Sequence, residues 1–243
     1  MQGQYRGNEN ELSQARRWQI QGMEMNSFDG SADSLRTRAV KSRRGGGGYL
    51  AEIEFLVVDD NEFARYITRD ILKALGARSI EFAKDGAEAL AMLKTISIDI
   101  VFLDWKMPVL DGIEFTRIVR NSDDSPDQFL PIIMMTGYSE LSNVMYARDA
   151  GVTEYLIKPC SAAQMLSRIR SIIESPRSFV KTSKYFGPCR RRHKKKDFNG
   201  AEKRGAVPIA TEQGPEAMDI HEKAIPQKDV DKYFGGANPD EVD

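Results

Sequence analysis

Asp59-Asp60-Asn61, Asp104, Thr136 and Lys158-Pro159 are the positions of this 243-residue chain best suited to chemistry. Each follows a short apolar run: Phe55 to Val58, Ile98 to Leu103, Leu130 to Met135, and Glu154 to Ile157. If those runs are parallel strands of one sheet, their C-terminal ends share an edge, and the polar groups converge on one pocket. Three crowded carboxylates repel, which raises at least one pKa. A hard divalent cation relieves the repulsion, and Mg²⁺ suits one or two carboxylates, water and a phosphate oxygen. A carboxylate kept ionised in this way can serve as a nucleophile. Asp104 is the best candidate because it closes the central run. A phosphoryl group arriving there needs positive charge and a hydroxyl donor, which Lys158 and Thr136 supply from flanking strand ends.

Each residue alone has a plainer reading. Asp59-Asp60-Asn61 makes a good helix cap. Asp104 before Trp105-Lys106-Met107-Pro108 and Thr136 before Gly137 fit ordinary turns, and Lys158 fits an exposed surface. Taken together, the set exceeds what independent turns supply by chance.

The elements that must position these residues follow from periodicity. Ser79 to Ala83 adds a fifth, more mixed strand, and it and Glu154 to Ile157 suit sheet edges. Between the strands, Phe63, Ile67, Ile71, Leu72 and Leu75 recur at helical spacing and are closed by Gly76. Ala87 to Leu93 and Ile113 to Val119 behave likewise. Ser139 to Ala150 is polar and reads as an interaction face. Ser161 to Gln164 opens a last helix with a capping box. Five strand–helix repeats predict an α/β fold: a five-stranded parallel sheet, doubly wound (βα)5, in a three-layer sandwich with right-handed crossovers.

These residues carry a family resemblance. Residues 53–175 resemble the receiver domain of two-component response regulators, the CheY-like fold. The matching pieces are Val57-Val58-Asp59-Asp60-Asn61, Asp104 to Gly112, Thr136-Gly137 and Lys158-Pro159. The resemblance implies that Asp104 accepts phosphate from a histidine kinase or a histidine phosphotransfer protein. It implies Mg²⁺ ligation by Asp60, Asp104 and the Lys106 backbone carbonyl, with Asp59 assisting through water. Lys158 would pair with the phosphoryl group, and Thr136 would swing toward it. Tyr155 would turn inward as Thr136 moves, remodelling the face of the fourth helix, fifth strand and fifth helix for a downstream protein target. A cis peptide bond is expected before Pro159, and Gly112 would serve a tight turn. Gly137 departs from the family's usual Ala. Such a protein assists its own phosphorylation and dephosphorylation but is not a metabolic enzyme. A Mg²⁺-dependent phosphatase resembling the haloacid dehalogenases would want Asp at position 106, which is Lys.

Charge segregates along the chain. Residues 1–52 sum to +2, 53–176 to −6, 177–204 to +9 and 205–243 to −6, within a net charge of −1. The expected organisation is a flexible N-terminal extension (1–52), a receiver (53–175), a basic linker (176–204) and an acidic, unstructured tail (205–243). The tail carries few large apolar residues, too few to offset ordering entropy, although Glu216 to Ala224 could form a short helix. Lys-Tyr-Phe-Gly occurs at 184–187 and again at 232–235, either by coincidence or as a duplicated docking motif. The run 190–196 opens an alternative function, a transcriptional or nucleic-acid-binding regulator whose contact is electrostatic and salt-sensitive. The same basic segment could instead lie on the acidic receiver or tail. Cys160 and Cys189 with His193 and His221 make at best a weak metal motif. No apolar run is long enough to span a bilayer. The expectation is a reduced, cytoplasmic protein without membrane insertion.

Overall fold

The computed structural model describes residues 48–182, 185–190 and 224–234. Five parallel strands form the central sheet: β1 (Glu54–Val58), β2 (Ser79–Ala83), β3 (Ile100–Asp104), β4 (Ile132–Thr136) and β5 (Glu154–Ile157), in the order β2-β1-β3-β4-β5. β2 and β5 are the edges, as their mixed composition predicts. The interior strands are buried along nearly their whole length, because helices cover both faces.

Helices α2 (Gly86–Leu93), α3 (Gly112–Asn121) and α4 (Leu141–Ala150) pack on one face over Leu56, Val101, Leu103 and Met134. Helices α1 (Glu62–Ala74) and α5 (Ala162–Glu174) pack on the other over Phe55, Val57, Phe102 and Met135. This is the expected three-layer sandwich. Local signals act as expected. Gly76 takes the left-handed φ of 99° just beyond α1, and Ser161 and Gln164 form a reciprocal capping box on α5.

Four features differ from the sequence expectation. The apolar stripe of α1 is only partly core: Leu72 is buried, but Phe63 is 71% exposed and Ile67 is also exposed. The helix turns Thr68 and Leu72 toward the sheet, so the N-terminal part of its stripe points outward. The folded unit begins before residue 53, since Leu50 is fully buried in the α1/α5 core. The polar helix α4 buries Asn143, Tyr146 and Arg148.

The fourth difference lies beyond Pro176. Part of the expected linker forms an antiparallel hairpin, β6 (Phe179–Thr182) and β7 (Tyr185–Pro188). Phe179 and Phe186 pack against Phe129 there. Part of the expected unstructured tail forms helix α6 (Gln227–Phe234), which buries Val230 and Phe234. The helix considered at 216–224 and the run 191–196 lie outside the described residues, apart from Ala224, which bridges to Glu140 as extended backbone. Of the two Lys-Tyr-Phe-Gly copies, Tyr185 to Gly187 lie in strand β7 and Lys232 to Phe234 lie in helix α6. No described helix is long and apolar enough to cross a membrane.

The α5 side of the sheet holds a buried charge cluster. Glu154, Arg168 and Asp231 are all buried; Arg168 Nη1 lies 3.7 Å from Glu154 Oε2, and its Nη2 donates to Asp231. Burial pushes the Glu154 carboxyl up to about 7, against the lowering effect of Arg168 and Arg177. The folded state therefore holds this proton more tightly than the unfolded chain does. The stabilisation this gives is present at low pH and is lost as pH rises from the ordinary carboxylate range toward 7. Glu154→Gln should flatten that slope. Denaturant titrations at several pH values should show a wild-type decline, relative to the variant, on the order of 1–3 kcal/mol.

Candidate functional site

The C-terminal ends of β1, β3, β4 and β5 bring the candidate residues to one rim of the sheet. Asp104 is the last residue of β3, and its register partner on β4 is Met135, one residue before Thr136. Asp59 follows β1, and Lys158 follows β5.

Lys158 Nζ lies between two carboxylates, donating to Asp59 Oδ2 at 2.6 Å and to Asp104 Oδ1 at 2.5 Å. Asp59 is buried, and its other oxygen accepts the Asn61 amide at 2.9 Å. Burial raises the Asp104 carboxyl above its ordinary range. Lys158 pulls it down, and the nearby Asp59 and Asp60 charges push it up again. Burial alone would lower the Lys158 ammonium, but the bonds to Asp104 and Asp59 outweigh it and leave that pKa raised. The pocket thus holds more carboxylate than its own cation balances.

Asn61 is the residue that caps α1, its side chain accepting the Phe63 and Ala64 amides. The cap and the acidic site are therefore built from different residues of one tripeptide. Arg65, one turn into α1, donates to the Asp59 carbonyl at 2.6 Å and fixes the backbone that aims this carboxylate. The sequence carries no distinct signal for this role, because the partner of Arg65 is a backbone carbonyl that any residue at position 59 would present.

The loop after Asp104 is held by backbone contacts. The Gly112 amide donates to the Trp105 carbonyl at 2.8 Å. Gly112 opens α3 behind its N-cap Asp111 and does not form a turn of its own. Glycine is required by proximity: a Cβ there would sit 2.2 Å from the Asp104 carbonyl oxygen. The Leu110 amide reaches the Pro108 carbonyl at 2.8 Å around Val109, whose φ is 69°. This is the strained sense of γ-turn, held at a β-branched residue. Lys158-Pro159 is cis, as expected.

Thr136 is buried, and its hydroxyl accepts the Tyr138 amide at 3.3 Å. Tyr155 is fully buried, its hydroxyl donating to the Tyr138 carbonyl at 2.7 Å, and burial raises its pKa. Tyr138 is thus a backbone node joining the two expected switch residues. Trp105 is buried beside Asp104 and stacks with Tyr146, consistent with a packing role. Among the described residues, no three Asp, Glu, His or Cys side chains are grouped so as to hold a metal ion by themselves. Asp59 and Asp104 meet through Lys158 instead. Cys160 and Cys189 are free thiols, and His193 and His221 lie outside the described residues.

A doubly wound sheet of order 2-1-3-4-5 with an acidic, lysine-bridged pocket at its carboxyl rim defines the CheY class of α/β domain. Residues 55–170 match the model of the response regulator receiver domain. The chain is 34% identical to chemotaxis protein CheY-3 of Vibrio cholerae over 122 residues, which is 50% of this chain and 92% of that protein. It is also 34% identical to chemotaxis protein CheY of Pseudomonas aeruginosa, over 50% of this chain and 97% of that protein. The structure of Vibrio cholerae CheY4 is 31% identical, with a TM-score of 0.46, covering 49% of this chain and 98% of that one. The chain belongs to the response regulator receiver family of two-component signalling.

Proposed function

We propose that Asp104 is the phosphoacceptor of a two-component phosphorelay. A carboxylate oxygen of Asp104 attacks the phosphorus of a phosphohistidine, on a histidine kinase or a histidine phosphotransfer protein. The phosphorus–nitrogen bond breaks, and its electron pair returns to the donor imidazole, which takes up a proton. The product is an aspartyl phosphate; water later attacks its phosphorus, the bond to the Asp104 oxygen breaks, and the free carboxylate and inorganic phosphate are released. The observation that carries this reading is the Lys158 ammonium between Asp59 and Asp104. A phosphoryl group on Asp104 would bring acceptor oxygens to that cation, which stabilises the charge developing on them.

The donor set fits Mg²⁺. Asp59 and Asp104 offer hard carboxylate oxygens and Asp60 adds charge nearby; burial is the main cause of the raised Asp104 pKa, and the Asp59 and Asp60 charges, which a dication would offset, add to it. Asp59, Asp60, Asp104 and the Lys106 carbonyl are the residues to hold it. When bound, the ion neutralises the oxygens of the transferring group. Thr136 donates its hydroxyl to the phosphoryl group, giving up its bond from the Tyr138 amide. Tyr155 conveys that change to the face of α4, β5 and α5, where a downstream protein binds. The protein thus acts as a signalling module and not as a metabolic enzyme.

Acetyl phosphate with Mg²⁺ tests the reading in a Trp18→Phe background, which leaves Trp105 as the reporting indole. The expected result is a Trp105 fluorescence change and an intact-mass gain of one phosphoryl group, both absent in Asp104→Asn. Phosphorylation persisting in Asp104→Asn would overturn the assignment.

A further inference from the structure

The face beside Tyr155 is already covered by this chain. Helix α6 and the residues before it cross α4, β5 and α5 in one continuous run. At one end, Ala224 bridges antiparallel to Glu140, and the Ile225 amide donates to the Ser139 carbonyl at 2.8 Å. In the middle, the Gln227 carboxamide pairs with the free edge of β5. It accepts the Ile157 amide at 2.7 Å and donates to the Tyr155 carbonyl at 2.9 Å. A strand edge offers those two groups to an added strand, and here one side chain satisfies both. On the α5 side, Asp231 takes the buried Arg168 guanidinium and also accepts from Gln227 at 2.8 Å. At the far end, Arg177 donates to the Phe234 carbonyl at 2.9 Å.

The decisive contact is aromatic. Phe234 stacks on Tyr155 with ring centroids 5.6 Å apart, and both rings are buried. Tyr155 is held inward by its bond to the Tyr138 carbonyl, and Phe234 lies against its ring on the side of α6, so we infer that an outward ring would meet Phe234. Docked α6 and outward Tyr155 therefore exclude each other. The Ser139 carbonyl that receives Ile225 lies one residue past Tyr138, so the tail also grips the loop that must move with Thr136.

We propose that residues 224–234 are an intrachain ligand of the α4–β5–α5 face, and that by clamping Tyr155 inward they bias the pocket toward its phosphoryl-bound arrangement. The docking stands on its own contacts, whereas the coupling rests on the phosphoacceptor reading. A ligand shifts a conformational equilibrium by its differential affinity for the two states, and the effect is reciprocal. A phosphoryl mimic on Asp104 therefore tightens α6, and loss of α6 weakens the mimic by the same factor.

The test uses the full chain carrying Trp18→Phe, with and without Gln227→Ala/Asp231→Ala/Phe234→Ala. Amide exchange reads docking at Ile157, whose amide bonds Gln227, against Lys158, whose amide bonds the Thr136 carbonyl at 2.8 Å within the sheet. The triple variant should lose protection at Ile157 and keep it at Lys158; unchanged protection at Ile157 would overturn the docking. Titration with beryllofluoride and Mg²⁺, read by Trp105, should show binding weakened roughly fivefold or more in the triple variant. The mimic should slow Ile157 exchange in the parent by a matching factor. Equal affinities with Ile157 deprotected would refute the coupling. If the parent itself bound no beryllofluoride, the phosphoacceptor reading would fail and the coupling with it, while the exchange result would still decide the docking.

Discussion

Replacing Gly112 with alanine should destabilise the protein by about 3 kcal/mol or more and impair phosphorylation of Asp104 beyond what the stability loss explains. The added Cβ would lie 2.2 Å from the Asp104 carbonyl oxygen, 3.1 Å from Trp105 Cα and 3.2 Å from the Asp104 carbonyl carbon. All three are backbone atoms, so no side-chain rotation relieves the overlap. Either α3 moves outward, breaking the 2.8 Å bond from the Gly112 amide to the Trp105 carbonyl, or the end of β3 moves and takes Asp104 with it. Both motions disturb a pocket whose Lys158 contacts are 2.5 and 2.6 Å. Gly137→Ala is the matched control. A Cβ there meets nothing within 4 Å, so the alanine usual in the family fits without cost. Denaturant midpoints and acetyl-phosphate labelling of the two variants should diverge accordingly. A Gly112→Ala protein of wild-type stability would show that the loop has slack the geometry denies.

The contrast between these glycines shows what a sequence can and cannot convey. The motif around Asp104 was readable because residue type, order and spacing are all local properties. The same holds for the strand ends that carry Asp59, Thr136 and Lys158, since apolar runs of strand length stop at each of them. The reason Gly112 must be glycine was not readable, because the atom it avoids belongs to another element. The α1 stripe misled for a related cause: helical periodicity marks an apolar face but not how much of it the sheet covers, and Phe63 and Ile67 remain exposed. Helix α6 is not legible in the sequence because the tail as a whole is poor in apolar residues. Two apolar residues one turn apart, Val230 and Phe234, with Gln227 and Asp231 finding specific partners, order a short segment in that background. Arg168 carried a faint signal, as an arginine among the apolar positions of α5, and its second carboxylate partner comes from the tail.

Lys158→Met should produce the other large effect, and its pH dependence should separate charge from packing. The substitution keeps an apolar stem but leaves Asp59 and Asp104 facing each other without their shared cation. Removing one member of a buried pair costs several kcal/mol. Lys158 is 31% exposed, so solvent screens part of that cost, and about 1–2 kcal/mol at neutral pH is the reasonable expectation. The sign follows from linkage. Asp104 is already raised above its ordinary range by burial, and loss of Lys158 raises it further. The variant's folded state then binds a proton more tightly than its unfolded state, so the deficit is largest above the raised pKa. It shrinks as pH falls toward the ordinary carboxylate range. Mg²⁺ should mimic this recovery at neutral pH, because a dication supplies the missing positive charge to the same oxygens. The phosphodonor response should not recover with it: the aspartyl phosphate would lack the ammonium that pairs with its oxygens, and the Trp105 change should fall by roughly tenfold or more. Denaturant titrations at pH 5 and 7.5, with and without Mg²⁺, check the first half, and stopped-flow fluorescence with acetyl phosphate checks the second. A deficit independent of both pH and Mg²⁺ would mean that Lys158 contributes through its packed stem, and the electrostatic account of the pocket would fall.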